Sequence, residues 1–302
     1  MQHQPIELKY PVYPFTPVLG WSISRYEVFD KCRRQYFYQY YSKYVKDAPQ
    51  YKVSKLKSLT SVPLEIGNAV HDCMEALLKR LQKSDSRIDE DKFFKFADDK
   101  LREYFSTKTF IETYYKQEEA LDIAAASEKA RVCLSNFIDG PCYSWLCMKA
   151  MTNRTGWMIE PAGYGETRLD GMKAYCKMDF LFPVGEEVYI LDWKTGAKDQ
   201  AKHAAQLMGY AAAANSNFSI PWNMIFPKIV YLHPQYDEFE IKFSESGLSG
   251  YFQTIREQTE AMYALCGNVE QNIPLDISEF AKSPSPNLCR NCRFQELCGS
   301  GE

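Results

Sequence analysis

The chain of 302 residues has no apolar run long enough to span a membrane. It also has no excess of positive charge, because 36 Lys and Arg residues face 39 Asp and Glu residues, giving a formal net charge of −3. A general basic field for nucleic acid is therefore absent, and any such binding has to rest on local patches. Internal repeats and low-complexity segments are absent too, which excludes a repeat array.

Two further signatures are missing. The N-terminal residues do not show the basic-then-apolar pattern of a secretory signal, so we expect a cytoplasmic protein. No Gly-x-x-x-x-Gly-Lys-Ser/Thr loop occurs, so any unwinding of a duplex has to come from a partner. In a reducing compartment the ten cysteines are expected to be thiols, and clustered thiols are better metal ligands than disulfides.

The most informative segment that is present is a predicted β-hairpin. Two runs rich in β-branched and aromatic residues flank Val184-Gly185-Glu186-Glu187. With Gly185-Glu186 as a two-residue type II′ loop, Asp179 pairs directly with Asp192. Both side chains then leave one face of the sheet within a few Å of each other.

Lys194 shares the face of Asp192, and Trp193 points the other way. Like charges this close repel unless a cation lies between them, so the pattern predicts a divalent metal with a lysine beside it. The alternative is a surface ion pair between Asp192 and Lys194, which contributes little.

Helical patterns dominate the first half of the chain. We predict helices over 22–44, 63–143, 198–215 and 247–265, with a loop at 47–64 between the first two. Strands are predicted over 157–191, 225–232 and 239–243, and an irregular tail over 274–302. This order predicts a mixed α/β domain with a helical insertion at about 72–155.

Further polar residues recur at helical or strand spacing. His71 follows Gly67 by four residues on a predicted helix; a lone histidine is seldom a ligand, but the nearby acids favour one here. Glu166 on a strand is an outer metal ligand or a solvent-facing residue. Gln206 and Tyr210 share a helix face and form an ordinary flank or hold a phosphate.

Five of these motifs occur in the order seen in one nuclease family. They are Gly67-x-x-x-His71, Glu166, Asp179, Asp192-x-Lys194-Thr-Gly and Gln206-x-x-x-Tyr210. Together they resemble RecB-like nucleases of the PD-(D/E)XK superfamily, as does the serine-led helix that runs into Cys32-Arg33-Arg34. One departure is Lys177, where the family often has glycine.

The resemblance implies a role for each of these residues. His71, Asp179 and Asp192 would bind Mg²⁺ or Mn²⁺ with the carbonyl of Trp193, while Lys194 would position or activate the attacking water. Glu166 would be an outer ligand, and Gln206 and Tyr210 would contact the DNA backbone. Hard oxygen ligands suit both metals, and a bound metal supports phosphodiester hydrolysis.

The implied fold is a restriction-endonuclease-like mixed β-sheet flanked by helices, with a helical insertion and a Cys-rich C-terminal tail. We expect a single domain over 1–302, made of an N-terminal segment (1–66), a helical region (67–160), a catalytic core (161–235) and a C-terminal helix and tail (236–302).

The tail contains the spacing Cys289-x2-Cys292-x5-Cys298, and a metal site needs a fourth ligand. By resemblance to AddB-type and CRISPR-adaptation nucleases, Cys32 would complete a [4Fe–4S] cluster that holds the tail to the N-terminal helix. Zinc is the alternative, because four thiolates suit it equally well.

The basic, aromatic segment 31–46 has two interpretations: a stacking surface for single-stranded DNA, or core aromatics under a cationic outer face. We expect core for most of the aromatics and DNA proximity for Arg33 and Arg34.

The sequence therefore predicts a metal-dependent deoxyribonuclease, an exonuclease acting on single strands or DNA ends, with a helicase, recombination or CRISPR-adaptation protein as a possible partner. The alternatives are a non-catalytic DNA-binding or assembly module and a cluster-based redox sensor. The first predicts a lost ligand or lysine, which this chain does not show.

Overall fold

The computed structural model describes residues 8–84, 88–160 and 165–299. The chain divides into two compact units. The first unit comprises residues 1–13, 63–106 and 122–252, and the second comprises residues 14–62, 107–121 and 253–302.

The first unit is built on a five-stranded mixed sheet. In chain order the strands of this unit are β1 (Met158–Ile159), β2 (Glu166–Leu169), β3 (Met172–Tyr175), β4 (Phe180–Val184), β5 (Glu187–Lys194), β6 (Ile225–Tyr231) and β7 (Asp237–Glu240). The sheet order is β1-β4-β5-β6-β7, and only the β5–β6 pair is parallel. Strands β2 and β3 form a separate two-stranded sheet.

The β4–β5 hairpin has the predicted register. Val184 pairs with Glu187 and Phe180 with Leu191, so the turn is the two-residue loop Gly185-Glu186. Gly185 has a φ of +63°, which a residue without a Cβ adopts readily. Extending this register by one residue places Asp179 opposite Asp192.

Most of the helices lie in segments that were predicted as helical. In chain order they are α1 (Ile23–Lys31), α2 (Arg33–Tyr40), α3 (Gln50–Ser58), α4 (Val62–Lys83), α5 (Glu90–Thr107), α6 (Ile111–Tyr114), α7 (Ile123–Ile138), α8 (Pro141–Lys149), α9 (Gln200–Phe218), α10 (Glu245–Tyr263), α11 (Pro286–Arg290) and α12 (Gln295–Cys298). The stripe Ile66, Val70, Cys73, Leu77 and Leu81 is buried along α4, which explains why this segment packs as a helix.

Three expectations for the second unit are wrong, one of them being the irregular tail over 274–302, which contains α11 and α12. The helix predicted over 22–44 is broken at Cys32, whose extended backbone (φ −160°, ψ 112°) separates α1 from α2. The freed backbone N–H of Arg34 donates to the carbonyl of Ala281 in the tail at 3.1 Å. The loop predicted over 47–64 contains α3, because Val53 and Leu56 lie fully buried one turn apart.

The mixed sheet flanked by helices confirms the predicted α/β fold class. Most aromatics of segment 31–46 are core, as expected, with Tyr36, Phe37, Tyr38 and Tyr41 buried. In the part of the chain that the structure describes, no helix is both long and apolar enough to cross a membrane.

Candidate active site

Asp179 and Asp192 are two of the few buried charged residues of the described chain. They lie on one face of the hairpin at the end of β5. The backbone N–H of Trp193 donates to Asp179 Oδ2 at 3.0 Å. The indole of Trp193 lies on the opposite face against Phe137, with ring centroids 5.1 Å apart. The hairpin therefore separates an acidic face from an apolar one.

Helix α4 brings His71 to the acidic face. Its Nδ1 lies 3.4 Å from Asp179 Oδ2 and 3.5 Å from Glu160 Oε1. A Cβ at Gly67 would lie 3.4 Å from Thr195 Oγ1, so a small residue there lets α4 pass close to the loop after Lys194. His71, Glu160 and Asp179 each offer a ligand atom, and these atoms lie within 4.8 Å of one another.

Glu160 is the site residue that sequence reasoning missed. It follows β1 with a φ of 40°, and its N–H donates to the carbonyl of Asp179 at 2.8 Å. Its Oε2 pairs with Lys177 Nζ at 2.7 Å. Glu166 lies instead on β2, where it pairs with Arg168 at 2.8 Å.

Asp192 is surrounded by donors. Lys194 Nζ lies 2.6 Å from its Oδ2, and its Oδ1 accepts from Tyr210 OH at 2.5 Å and Gln206 Nε2 at 3.0 Å. Tyr210 is buried on α9, so the structure places it and Gln206 against a carboxylate rather than at an exposed rim. His203, one turn before Gln206, contacts Tyr231 OH at 2.6 Å.

The electrostatics show that this group of acids favours a cation. Burial and the charge of Asp179 raise the pKa of Asp192 to about 6. Burial opposes protonation of His71, but Asp179 and Glu160 outweigh it and raise its pKa to about 10. Burial also opposes ionisation of Asp179, yet His71, the Trp193 N–H and Lys194 hold its pKa below the usual value. Protons thus supply part of the positive charge that the carboxylates attract.

The donor set fits a hard divalent metal. Two carboxylates and an imidazole converge within 4.8 Å, and these are ligand types that Mg²⁺ and Mn²⁺ accept. Asp192 does not join that tight group among the described residues, but its buried Oδ2 accepts no well-directed hydrogen bond despite the nearby ammonium of Lys194. A carboxylate oxygen has more than one lone pair, so Oδ2 keeps acceptor capacity for a metal or a metal-bound water beside the ammonium of Lys194.

An open cavity adjoins these ligands. It is lined by Asn68, Asp72, Glu75 and Tyr104 together with Lys177 and the three clustered residues His71, Glu160 and Asp179. Tyr104 OH donates to Asp72 Oδ2 at 2.5 Å. The side chain of Lys177 is 53% exposed, so the cavity lining combines several acids with a solvent-facing cation.

The second unit contains a cavity lined by all four predicted cluster cysteines, Cys32, Cys289, Cys292 and Cys298. The backbone N–H of Phe294 donates to Cys292 Sγ at 3.4 Å. Burial raises the pKa of Cys292 to about 11, and the neighbouring thiols add to the effect. Among the described residues, no three of these sulfurs lie within 4.8 Å of one another.

The two arginines beside Cys32 are engaged within the second unit. The guanidinium of Arg33 stacks on Phe29 at 3.5 Å and donates to its carbonyl. Arg34 Nε donates to the carbonyl of Phe280 at 2.9 Å. Their predicted contact with DNA therefore stays a prediction, and Arg34 has a clear structural partner.

A family model described as the PD-(D/E)XK nuclease superfamily matches residues 20–299. A search of curated proteins finds no match. Among solved structures, the chain is similar to one from Eubacterium rectale described as "Putative exonuclease", with 14% identity and a TM-score of 0.43 over 89% of this chain and 91% of that chain. The family match spans every residue of the candidate site and of the cysteine cavity.

Proposed function

The chain belongs to the PD-(D/E)XK nuclease superfamily, and on that premise we propose that it is a Mg²⁺- or Mn²⁺-dependent deoxyribonuclease. The observation that carries the proposal is the convergence of His71, Glu160 and Asp179 beside the Asp192–Lys194 pair. We propose an exonuclease of the RecB-like type that acts on single strands or DNA ends.

His71, Glu160 and Asp179 would hold the metal, with Asp192 and the carbonyl of Trp193 beside it. Glu160 takes the outer-ligand role that the sequence suggested for Glu166, because only Glu160 lies beside the other ligands. When bound, the metal neutralises charge on the phosphate and lowers the pKa of a water.

Lys194 contacts the reacting atoms, and the residues around Asp192 hold that carboxylate in position. Lys194 Nζ lies next to Asp192 Oδ2, where it donates to the attacking water or to a phosphate oxygen. Gln206 and Tyr210 donate to the other oxygen of Asp192 and hold the carboxylate in place. We assign these two residues to positioning Asp192 rather than to the DNA backbone.

The four cysteines support a [4Fe–4S] cluster as the resident group of the second unit. In a tetrahedral zinc site with bonds of about 2.3 Å, the sulfurs lie ~4 Å apart. Among the described residues no three of these thiols lie within 4.8 Å of one another, although all four line one cavity, so zinc requires the side chains to turn inward. Iron analysis and the visible spectrum of anaerobically purified protein test this, and a colourless, zinc-bearing protein contradicts it.

The nuclease test uses end-labelled linear single strands, linear duplexes and circular single strands with Mn²⁺. We expect linear DNA to be degraded and circles to persist. Lys194→Ala and Asp179→Asn should lower the rate by roughly 10²-fold or more. Lys198→Ala and Asp237→Asn, which remove an exposed ion pair of the same unit, are the matched controls.

The metal ligands are tested by calorimetry with Mn²⁺. Glu160→Gln should weaken binding by roughly tenfold or more, while Glu166→Gln should leave it unchanged. Unaltered cleavage by Lys194→Ala would contradict the catalytic assignment, and cleavage of circles would contradict the exonuclease mode.

We propose that such an enzyme acts in the cytoplasm, in repair, recombination or CRISPR adaptation. Its partner there would be a helicase or an adaptation protein.

A further inference from the structure

The second unit carries a concentration of positive charge that the whole chain does not. Residues 43–57 contain five lysines and a single acid, Asp47, in a protein whose net charge is −3. We call Lys43, Lys46, Lys52, Lys55 and Lys57 the lysine patch. Such a local excess is the kind of feature that an acidic chain needs if it is to hold a polyanion.

Three lysines of this patch form no close ion pair, although Lys46 and Lys55 act at longer range on Asp276 and Glu296. In the described residues, no carboxylate lies within 4.0 Å of Lys43, Lys46 or Lys55, and all three are exposed. Lys52 differs, since it pairs with Glu296 at 2.8 Å. Several surface lysines of the first unit are paired, for example Lys95 with Asp99 and Lys198 with Asp237.

Side-chain contacts hold the segment that carries Lys43 and Lys46 against α3. Burial of Val53 and Leu56 turns Tyr51 and Lys55, one turn apart on α3, toward solvent. On one flank of the helix, Lys57 Nζ lies 3.4 Å from Ser42 Oγ, next to Lys43. Gln50 Nε2 donates to the carbonyl of Val45 at 2.9 Å, which fixes the start of α3 beside Lys46.

Aromatic rings alternate with the cations. Lys43 Nζ lies 4.9 Å from the ring centre of Tyr44, and Lys55 Nζ lies 4.9 Å from that of Tyr114. Tyr51 is 77% exposed, one turn from Lys55, which leaves a large ring in water. Cations that follow a backbone and rings on which bases stack are the two parts of a single-strand binding surface.

We propose that the lysine patch and Tyr51 bind single-stranded DNA, with Lys43, Lys46 and Lys55 on phosphates and Tyr51 stacked on a base. The inference rests on the proposed function, because DNA is the polyanion that a nuclease of this superfamily acts on. It adds a binding surface made only of second-unit residues, none of which belongs to the candidate active site.

The test measures binding of a labelled oligothymidylate and of a duplex of equal length, by fluorescence anisotropy in EDTA over a range of salt. Replacing Lys43, Lys46 and Lys55 by alanine should make the slope of log K against log salt less negative by about 2, since each lost phosphate contact removes about 0.7. The control replaces Lys79, Lys95 and Lys198 by alanine, which removes the same charge elsewhere. Tyr51→Ala should weaken single-strand binding about fivefold or more at an unchanged slope.

Equal effects of the patch and control triples would overturn the proposal, because they would show a response to net charge alone. No loss with Tyr51→Ala, or an equal loss for the duplex, would overturn the single-strand assignment. If the wild type degrades DNA with Mn²⁺ but the patch variants bind normally, this inference fails and the nuclease proposal stands. If the wild type neither binds nor cleaves DNA, the nuclease proposal itself fails.

Discussion

The ammonium of Lys177 and the carboxylate of Glu160 show how a single residue modifies the candidate metal site. Lys177 Nζ lies 2.7 Å from Glu160 Oε2, while Glu160 Oε1 lies 3.5 Å from His71 Nδ1, so a cation of the protein competes with a metal for the same carboxylate. The pair is partly exposed, which limits its strength. The resemblance to the family leads us to expect glycine at this position, so the competition is a property of this chain.

We therefore expect Lys177→Met to bind Mn²⁺ roughly two- to fivefold more tightly by calorimetry, because the competing ammonium is gone. Lys198→Met, which breaks the exposed pair with Asp237, is the control and should not change the affinity. The gain should vanish in a Glu160→Gln background. A gain that persists there would show a general effect of charge rather than competition for Glu160.

Tyr210 supports a second residue-level prediction. Its buried hydroxyl donates to the buried carboxylate of Asp192, so Tyr210→Phe leaves a buried acceptor with one donor fewer. The free energy of unfolding should fall by about 1.5–3 kcal/mol in urea titrations with EDTA. Tyr189→Phe removes a more accessible hydroxyl–carboxylate contact, with Glu187, and should cost much less. Equal losses in the two variants would argue against the buried contact.

For single residues, the sequence predicted the positions that strand alternation, hairpin register and helical spacing determine. The turn at Gly185 positioned Asp179 and Asp192, and helical spacing put Gln206 and Tyr210 on one face. Glu160 escaped because it follows a two-residue strand and turns by a positive φ, so no periodic pattern marks it.

Among the secondary-structure elements, the β4–β5 hairpin depends most on one backbone angle. Gly185→Ala places a Cβ at φ +63°, where an L-residue is strained. The free energy of unfolding in urea titrations should therefore fall by about 1 kcal/mol. Gly250→Ala, in α10, adds a Cβ that meets no described atom within 4 Å beyond its chain neighbours and its own helix backbone, and it should stabilise the protein instead. Two changes of the same sign would contradict this assignment.

Element boundaries were predicted where their cause is local. Ser22 caps α1, its Oγ accepting from the N–H of Arg25, at the start of the helix predicted over 22–44. The break at Cys32 was not predicted, because the group that satisfies the freed Arg34 N–H is Ala281, far along the chain. Helix α3 was not predicted because only Val53 and Leu56 are buried along it, and the lysines between and around them made the segment read as a polar loop.

At the scale of the whole molecule, the second unit combines three separate stretches of chain, and the cysteine cavity uses the first and the last of them. If a cluster holds these stretches together, Cys298→Ser should lower the iron content and make the tail sensitive to protease. Cys147→Ser, which changes an exposed cysteine of α8, is the control. Full iron content together with a resistant tail in Cys298→Ser would rule out the cluster's role in holding the tail.

The hydrogen bond from Tyr38 OH to the carbonyl of Leu297 joins residues 259 positions apart. A ribosome adding about 5–20 residues per second needs roughly ten seconds to a minute to cover that interval. During that time the aromatic face of α2 has been made, but the tail that covers it has not. The newly made chain therefore carries exposed rings until the segment around Leu297 has been made, and these rings are the surface a chaperone would have to protect.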